Sequence, residues 1–184
     1  ELDSLKLADD TLIVFAGDNG YFLGEHGLGD KRAAYDESMR IPLLLRYPRS
    51  GICGKLVDEL VLNIDVAPTF LDFAGLPVPK AMQGASWKPV LDGKNTTWRE
   101  AFLFSYAFES PLPATPAMLA VRTRSAKLIT YPGHDAWTEL FDLASDPCET
   151  RNLANDPAHA TLLRRMRGEM SAQISRFGNP LSDK

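Results

Sequence analysis

Cysteine is the scarcest reactive residue in this 184-residue chain, with only Cys53 and Cys148. Their separation fits no metal-ligand spacing, and two residues cannot make a disulfide-stapled scaffold. A single bridge is open to them, but two free thiols are the expectation. Long apolar runs are also missing, so no segment reads as a membrane-spanning helix. Excess positive charge is absent: 20 Lys and Arg stand against 24 Asp and Glu, a net charge of −4, with pI about 5.4. Nothing in that balance suggests a nucleic-acid or anionic-membrane surface. There is no internal repeat and no low-complexity tract. The N-terminal "ELDSLKLADD" lacks an initiator Met and the basic, apolar and small-residue regions of a signal peptide. It reads as a surface helix running into a strand, as if the chain starts inside a larger protein. What is present is a hydrophobic content of 45%, enough for one large domain or two small ones. "NTT" at Asn95 fits the glycosylation acceptor pattern, which is too common by chance to fix a compartment.

The densest chemistry lies in "TLIVFAGDNGYFLGEHGLGDK", Thr11 to Lys31. The apolar run Thr11 to Ala16 suits a strand covered on both faces, as in a parallel sheet with helices on either side. In such sheets ligands gather beyond the carboxyl ends of the strands, which is where Asp18 and Asn19 fall. Gly17 and Gly20 flank them and free the backbone to turn both oxygens to one point. A carboxylate beside an amide oxygen is a hard donor pair suited to Ca²⁺ or Mg²⁺, though two ligands are too few for either ion. The same "DNG" also fits a turn in which Asp and Asn bond to their own backbone. Lys31 and His26 can neutralise an oxyanion or donate a proton if they return to that place. Otherwise Glu25, His26, Asp30, Lys31 and Arg32 make a solvated loop with weak surface pairs.

Farther along, Leu43 to Leu45 inside "IPLLLRYP" is a second strand, bounded by Pro42 and Pro48. "NIDVAPTFLDFAGLPVP" follows, with Asp65 as N-cap, Val66, Phe70, Phe73 and Ala74 at helical spacing, and Gly75 as the stop. Strand, loop, strand and helix form the grammar of an α/β layer. After about Pro89 the chain becomes polar and proline-rich, which sets a boundary between residues 98 and 99. Beyond it "MLAVRTRSAKLITYP" and "TELFDL" predict short, half-exposed strands, with "PGHDAW" as the turn between the last two. Leu163, Met166, Met170, Ile174 and Phe177 share one face of a terminal helix, and Arg164, Arg165, Arg167 and Glu169 turn to solvent. This second part is a small α+β unit.

"TLIVFAGDNGYFLGEHGLGDKRAAYDESMRIPLLLRYP" resembles the C-terminal metal segment of the type I sulfatases of the alkaline phosphatase superfamily. "NIDVAPTFLDFAGLPVP", "MQGASWKPVLDG", "AVRTRSAKLITY" and "ELFDLASDPCETRNLANDP" continue that resemblance in order, so it covers nearly the whole chain. The branch it looks most like holds the N-acetylglucosamine-6-sulfatases and related carbohydrate sulfatases. The resemblance implies the C-terminal part of an alkaline-phosphatase-like parallel-sheet domain, residues 1–98, then a small α+β unit with an antiparallel sheet and a terminal helix, residues 99–184. It implies Asp18 and Asn19 as metal ligands, usually to Ca²⁺. Lys31 would be the sulfate-contacting lysine, and His26 a catalytic residue near the substrate. Arg40 would support the loop. His134, with Asp135 and Trp137 in the C-terminal turn, has two readings. An exposed turn histidine is the expectation from the residues; an edge of the substrate pocket is what the resemblance allows.

The family's nucleophile is a formylglycine made from Cys or Ser in a "C/S-x-P-x-R" motif. Neither Cys53 ("GICGKLV") nor Cys148 ("DPCETRN") sits in one, and no serine does. The first pair of metal-binding aspartates, the motif arginine and the mid-chain catalytic His are absent too. The chain therefore resembles the C-terminal portion of a sulfatase whose partner is the missing N-terminal part of the same protein. The implied reaction is displacement at sulfur by the hydrated formylglycine, with the metal and Lys31 stabilising the sulfate oxygens. The portion alone is expected to be inactive, to bind Ca²⁺ poorly, and to expose apolar surface that favours association. The expected substrate is a sulfated small molecule or carbohydrate, and the implied setting is periplasmic, secreted or lysosomal. Two other readings keep the scaffold: a phosphodiesterase or phosphonate hydrolase, and a non-catalytic binding module.

Overall fold

The computed structural model describes residues 1–93, 97–109 and 115–182; Asn95 lies outside the described residues. In chain order these form β1 (Ile13–Ala16), β2 (Phe22–Leu23), β3 (Gly29–Asp30), α1 (Asp36–Met39), β4 (Leu43–Arg46), α2 (Val66–Phe73), α3 (Lys88–Leu91), β5 (Ala101–Tyr106), β6 (Met118–Thr123), β7 (Ala126–Thr130), β8 (Glu139–Asp142) and α4 (Ala160–Phe177), with short 3-10 turns between them. Two compact units result: Glu1–Asp18 with Ile41–Arg99, and Asn19–Arg40 with Glu100–Lys184. The sequence reading draws one line, between residues 98 and 99. The contacts instead group residues 19–40 with the C-terminal unit, because Tyr35 and Asp36 bond to its sheet.

In the first unit β1 pairs antiparallel with β4, placing Phe15 opposite Leu44. The apolar run predicted a parallel strand covered on both faces. Among the described residues every strand pairing is antiparallel. Phe15 and Leu44 are 61% and 65% exposed, so within these residues one face of the ribbon is open. The fully buried Asp65 organises the helix beyond it. Asp65 precedes α2, but its carboxylate does not cap that helix. It accepts instead from Leu62 N (2.8 Å), Ala85 N (2.9 Å) and both terminal nitrogens of Arg99. The buried side of α2 is Pro68 and Thr69, whereas Phe70 is exposed, because Thr69 Oγ1 bridges Asp65 O and Trp87 N. Gly84 is required there, since a Cβ would sit 2.1 Å from Ile64 O.

In the second unit β5, β6, β7 and β8 form an antiparallel meander, and β2 pairs with β3. Period two sends Leu119, Val121, Ala126 and Leu128 to one face, where Met166 and Met170 of α4 cover them. Met118, Ala120, Ile129 and Phe141 form the other face and pack against Ala34, Tyr35 and Met39. The strands are therefore buried on both sides, not half-exposed as the pattern predicted, because residues 33–39 roof the second face. The face of α4 holds as expected except at its end, where Phe177 is 42% exposed beneath the Arg176 guanidinium. Both cysteines are free and exposed. No helix among the described residues is long and apolar enough to cross a membrane.

Candidate active site

Lys31 and Asn19 meet. Lys31 Nζ donates to Asn19 Oδ1 at 2.8 Å, twelve residues away in sequence. The amide nitrogen of Asn19 donates to Gly20 O at 2.7 Å, which turns Oδ1 toward the ammonium. Helix α1 holds the backbone on both sides of this pair. Gly20 N donates to Ser38 O at 2.7 Å, and the Ser38 hydroxyl donates to Lys31 O. The approach at Gly20 is so close that a Cβ would fall 1.9 Å from Glu37 O, so only glycine fits. Ser38 is 4% exposed, and it ties the two halves of the loop through one residue.

His26 is on the same unit and has contacts of its own. It sits in left-handed backbone (φ 56°), stacks on Tyr35 with ring centroids 4.0 Å apart, and has Nε2 3.2 Å from Glu37 Oε2. Glu25 accepts from Leu23 N, and Arg32 pairs with Asp30 and Glu109. The loop is thus a set of assigned pairs rather than a loose charge cluster. Arg40 is exposed and ends α1 through its backbone N–H to Asp36 O at 2.7 Å. His134, far along the chain, stacks on the half-exposed Trp137 at 3.9 Å, and Tyr131 meets the other ring edge-on.

Beneath the loop lies a charged network that pattern reading did not single out. Lys127, with no exposed surface, reaches Asp36 Oδ1 (2.7 Å) and Glu149 Oε1 (2.6 Å). Arg122, directly opposite Lys127 in the sheet, makes a two-point contact with Asp36 at 3.0 and 2.8 Å. Glu149 Oε2 accepts from Asp36 N at 2.7 Å. Two cations side by side repel, and the two carboxylates offset that. Burial pushes the Asp36 carboxyl up, but the Arg122 hydrogen bond and the Lys127 charge outweigh it and leave it at about 2. Burial raises Glu149 despite the Lys127 ammonium beside it. Tyr35 and Tyr131 both donate to Glu139, at 2.7 and 2.6 Å. Burial and that carboxylate push both phenols upward, so they remain protonated donors. The available signal was Lys127 itself, a charge at a position whose period-two neighbour Ile129 is apolar and buried.

Asp18 ends the first unit and Asn19 begins the second, joined by one peptide bond. Their side chains offer hard oxygens, and Asn19 Oδ1 already faces a cation in Lys31. In kind they fit Ca²⁺ or Mg²⁺; in number they fall short of the six to eight oxygens that Ca²⁺ takes. Among the described residues no three His, Cys, Asp or Glu side chains converge to complete such a shell.

The N-acetylglucosamine-6-O-sulfatase of Bacteroides thetaiotaomicron is 42% identical over 164 residues, covering 86% of this chain and 29% of that protein. A protein solved in complex with its substrate D-glucosamine-2-N,6-O-disulfate superposes with a TM-score of 0.86 at 34% identity, over 100% of this chain and 38% of that one. The phosphonate monoester hydrolase of Agrobacterium radiobacter gives 0.83 at 26% identity, over 95% and 37%. The chain thus spans about a third of the length of these relatives. The family model described as N-sulphoglucosamine sulphohydrolase, C-terminal, matches residues 24–176, from the end of β2 to the last turn of α4. The chain belongs to that family of C-terminal sulfatase domains, within the type I sulfatases of the alkaline phosphatase superfamily.

Proposed function

We propose that this chain is the C-terminal part of an enzyme that hydrolyses sulfate esters of carbohydrates, with a formylglycine nucleophile that none of these residues supplies. The supporting observation is the Lys31 ammonium on Asn19 Oδ1 at 2.8 Å. That bond uses one of three N–H donors and leaves two for the oxygens of a tetrahedral anion. In this reading Lys31 neutralises negative charge as it develops on the sulfate. Asp18 and Asn19 provide part of the oxygen shell for Ca²⁺ or Mg²⁺, which when bound supplies Lewis-acid polarisation of a sulfate oxygen. His26 keeps Nε2 on Glu37, so Nδ1 is the nitrogen available to hold or pass a proton. His134 and Trp137 offer an aromatic platform suited to a sugar ring. The likeness to a phosphonate monoester hydrolase favours a second reading, in which the same groups hold a phosphorus ester.

A direct competition separates the two. Full-length protein is given N-acetylglucosamine 6-sulfate and a phosphonate monoester, and turnover of each is followed. The sulfatase reading expects the larger kcat/KM for the sulfate. The reverse order moves the assignment to phosphonate chemistry, and turnover of neither ester by folded, metal-loaded protein removes both.

A further inference from the structure

Glu139 stands opposite Ile129 in the sheet and two residues before Phe141, so it shares the face that residues 33–39 roof. Its carboxylate is divided between two phenols from different elements. Oε2 accepts from Tyr35, in the roof, at 2.7 Å, and Oε1 accepts from Tyr131, just past β7, at 2.6 Å. Both are as short as hydroxyl bonds to a carboxylate run. Each phenol also meets a ring of the proposed site. Tyr35 stacks on His26 with centroids 4.0 Å apart and planes 9° from parallel. Tyr131 meets Trp137 edge-on at 5.9 Å, and Trp137 stacks on His134 at 3.9 Å. One carboxylate thus joins the rings beside both histidines, and all of these residues lie within the second unit.

We infer that Glu139 is a positioning residue for both parts of the site: through Tyr35 it sets the His26 ring, and through Tyr131 it sets the Trp137–His134 platform. The inference rests on the proposed function, in which His26 handles a proton and the platform takes the sugar. Apolar contact has no direction, so a packed ring can still tilt or slide along its neighbour. A hydrogen bond at the phenol tip fixes distance and angle together. Tilting Tyr35 displaces the imidazole that lies flat on it. His26 stands between Gly24 and Gly27, both at positive φ, so Tyr35, the Phe22 edge and Glu37 place its ring rather than a stiff backbone. Trp137 is half exposed in a short 3-10 turn and depends in the same way on Tyr131. Burial and the carboxylate keep both phenols protonated, so the bridge persists at neutral pH. The orientation of the proton-handling group is thereby tied to that of the sugar platform.

Reach and charge are separable at this position. Glu139→Gln keeps the reach, with Oε1 accepting from one phenol and Nε2 donating to the oxygen of the other. Glu139→Asp keeps the charge but draws the oxygens back by one methylene, away from both phenols. The first measurement needs no ligand. In full-length protein with 13C-labelled histidine, the ε1 signals of His26, His134 and His159 are assigned by single substitutions. Glu139→Asp is expected to move the His26 and His134 signals and to leave His159, which pairs with Asp156, in place. Glu139→Gln is expected to leave all three near the parent. With N-acetylglucosamine 6-sulfate, Glu139→Asp is expected to lower kcat and raise KM by about fivefold each, and Glu139→Gln to stay within about twofold. Tyr35→Phe is expected to lower kcat alone and Tyr131→Phe to raise KM alone; both keep the ring, so they decide the matter should Glu139→Asp unfold. The inference fails if Glu139→Asp leaves either histidine signal unmoved, or if the two Phe variants change kcat and KM in the same proportion. It fails too if Glu139→Gln is as impaired as Glu139→Asp, since charge and not reach would then matter. Moved signals in a parent that turns over no sulfate ester overturn the sulfatase reading and leave the bridge standing.

Discussion

Lys127 has no exposed surface, and its Nζ lies 2.6 and 2.7 Å from two carboxylates. Removing one member of a buried ionic set leaves the others uncompensated, so Lys127→Met is expected to cost about 3–5 kcal/mol in urea unfolding. A loss below 1 kcal/mol would show that water reaches the site. Asp36 gives the same network a pH signature. Its carboxyl lies at about 2 in the folded chain against an ordinary 3.8, so its stabilisation is complete above pH 3.8 and disappears as pH falls toward 2. The depression corresponds to something on the order of 2 kcal/mol. Glu149 is shifted the other way; its contribution is present at low pH and fades as pH rises through its raised value. Asp36→Asn is therefore expected to flatten the fall in stability between pH 4 and pH 2. An unchanged slope in that window contradicts the assignment.

At the level of elements, a single turn of helix positions the loop. Through Ser38, α1 holds Gly20 and Lys31 together, and through Asp36 it is bonded to β6 and β7. Gly20→Ala places a Cβ against a backbone carbonyl that cannot swing away, so the loop must shift. The expected outcome is a loss of about 1–3 kcal/mol and faster hydrogen exchange at residues 29–38, while β6 and β7 stay protected. Uniform exchange across the unit would mean that loop and sheet open together. The strands at Leu43 and Met118 and the amphipathic terminal helix were legible, because period and proline punctuation report local geometry. The Lys31–Asn19 pair was legible through the resemblance of its segment and not through "DNG" alone. The roof over the second sheet face was not legible, since Asp36 meets Arg122 and Lys127 from 86 and 91 residues away. Nor was the work of Asp65: a carboxylate before a helix reads as a cap, and its real partner, Arg99, lies 34 residues on.

On the scale of the molecule, the chain covers 29% of an N-acetylglucosamine-6-O-sulfatase and 38% of a solved relative, and it carries both a candidate anion site and a sheet-and-helix unit. Its first unit exposes Phe15 and Leu44 side by side, with Leu56 at 90% exposure. Paired open apolar positions favour self-association, so sedimentation of the chain is expected to show concentration-dependent growth that Phe15→Ser with Leu44→Ser reduces. Strict monomer behaviour at high concentration would contradict this. The central claim is that the ammonium beside Asn19 stabilises charge on a tetrahedral anion during hydrolysis. Sulfate release by full-length protein, parent against Lys31→Ala, tests it most directly. The account expects kcat/KM to fall on the order of 100-fold with the fold intact; a folded variant within threefold of the parent would contradict it.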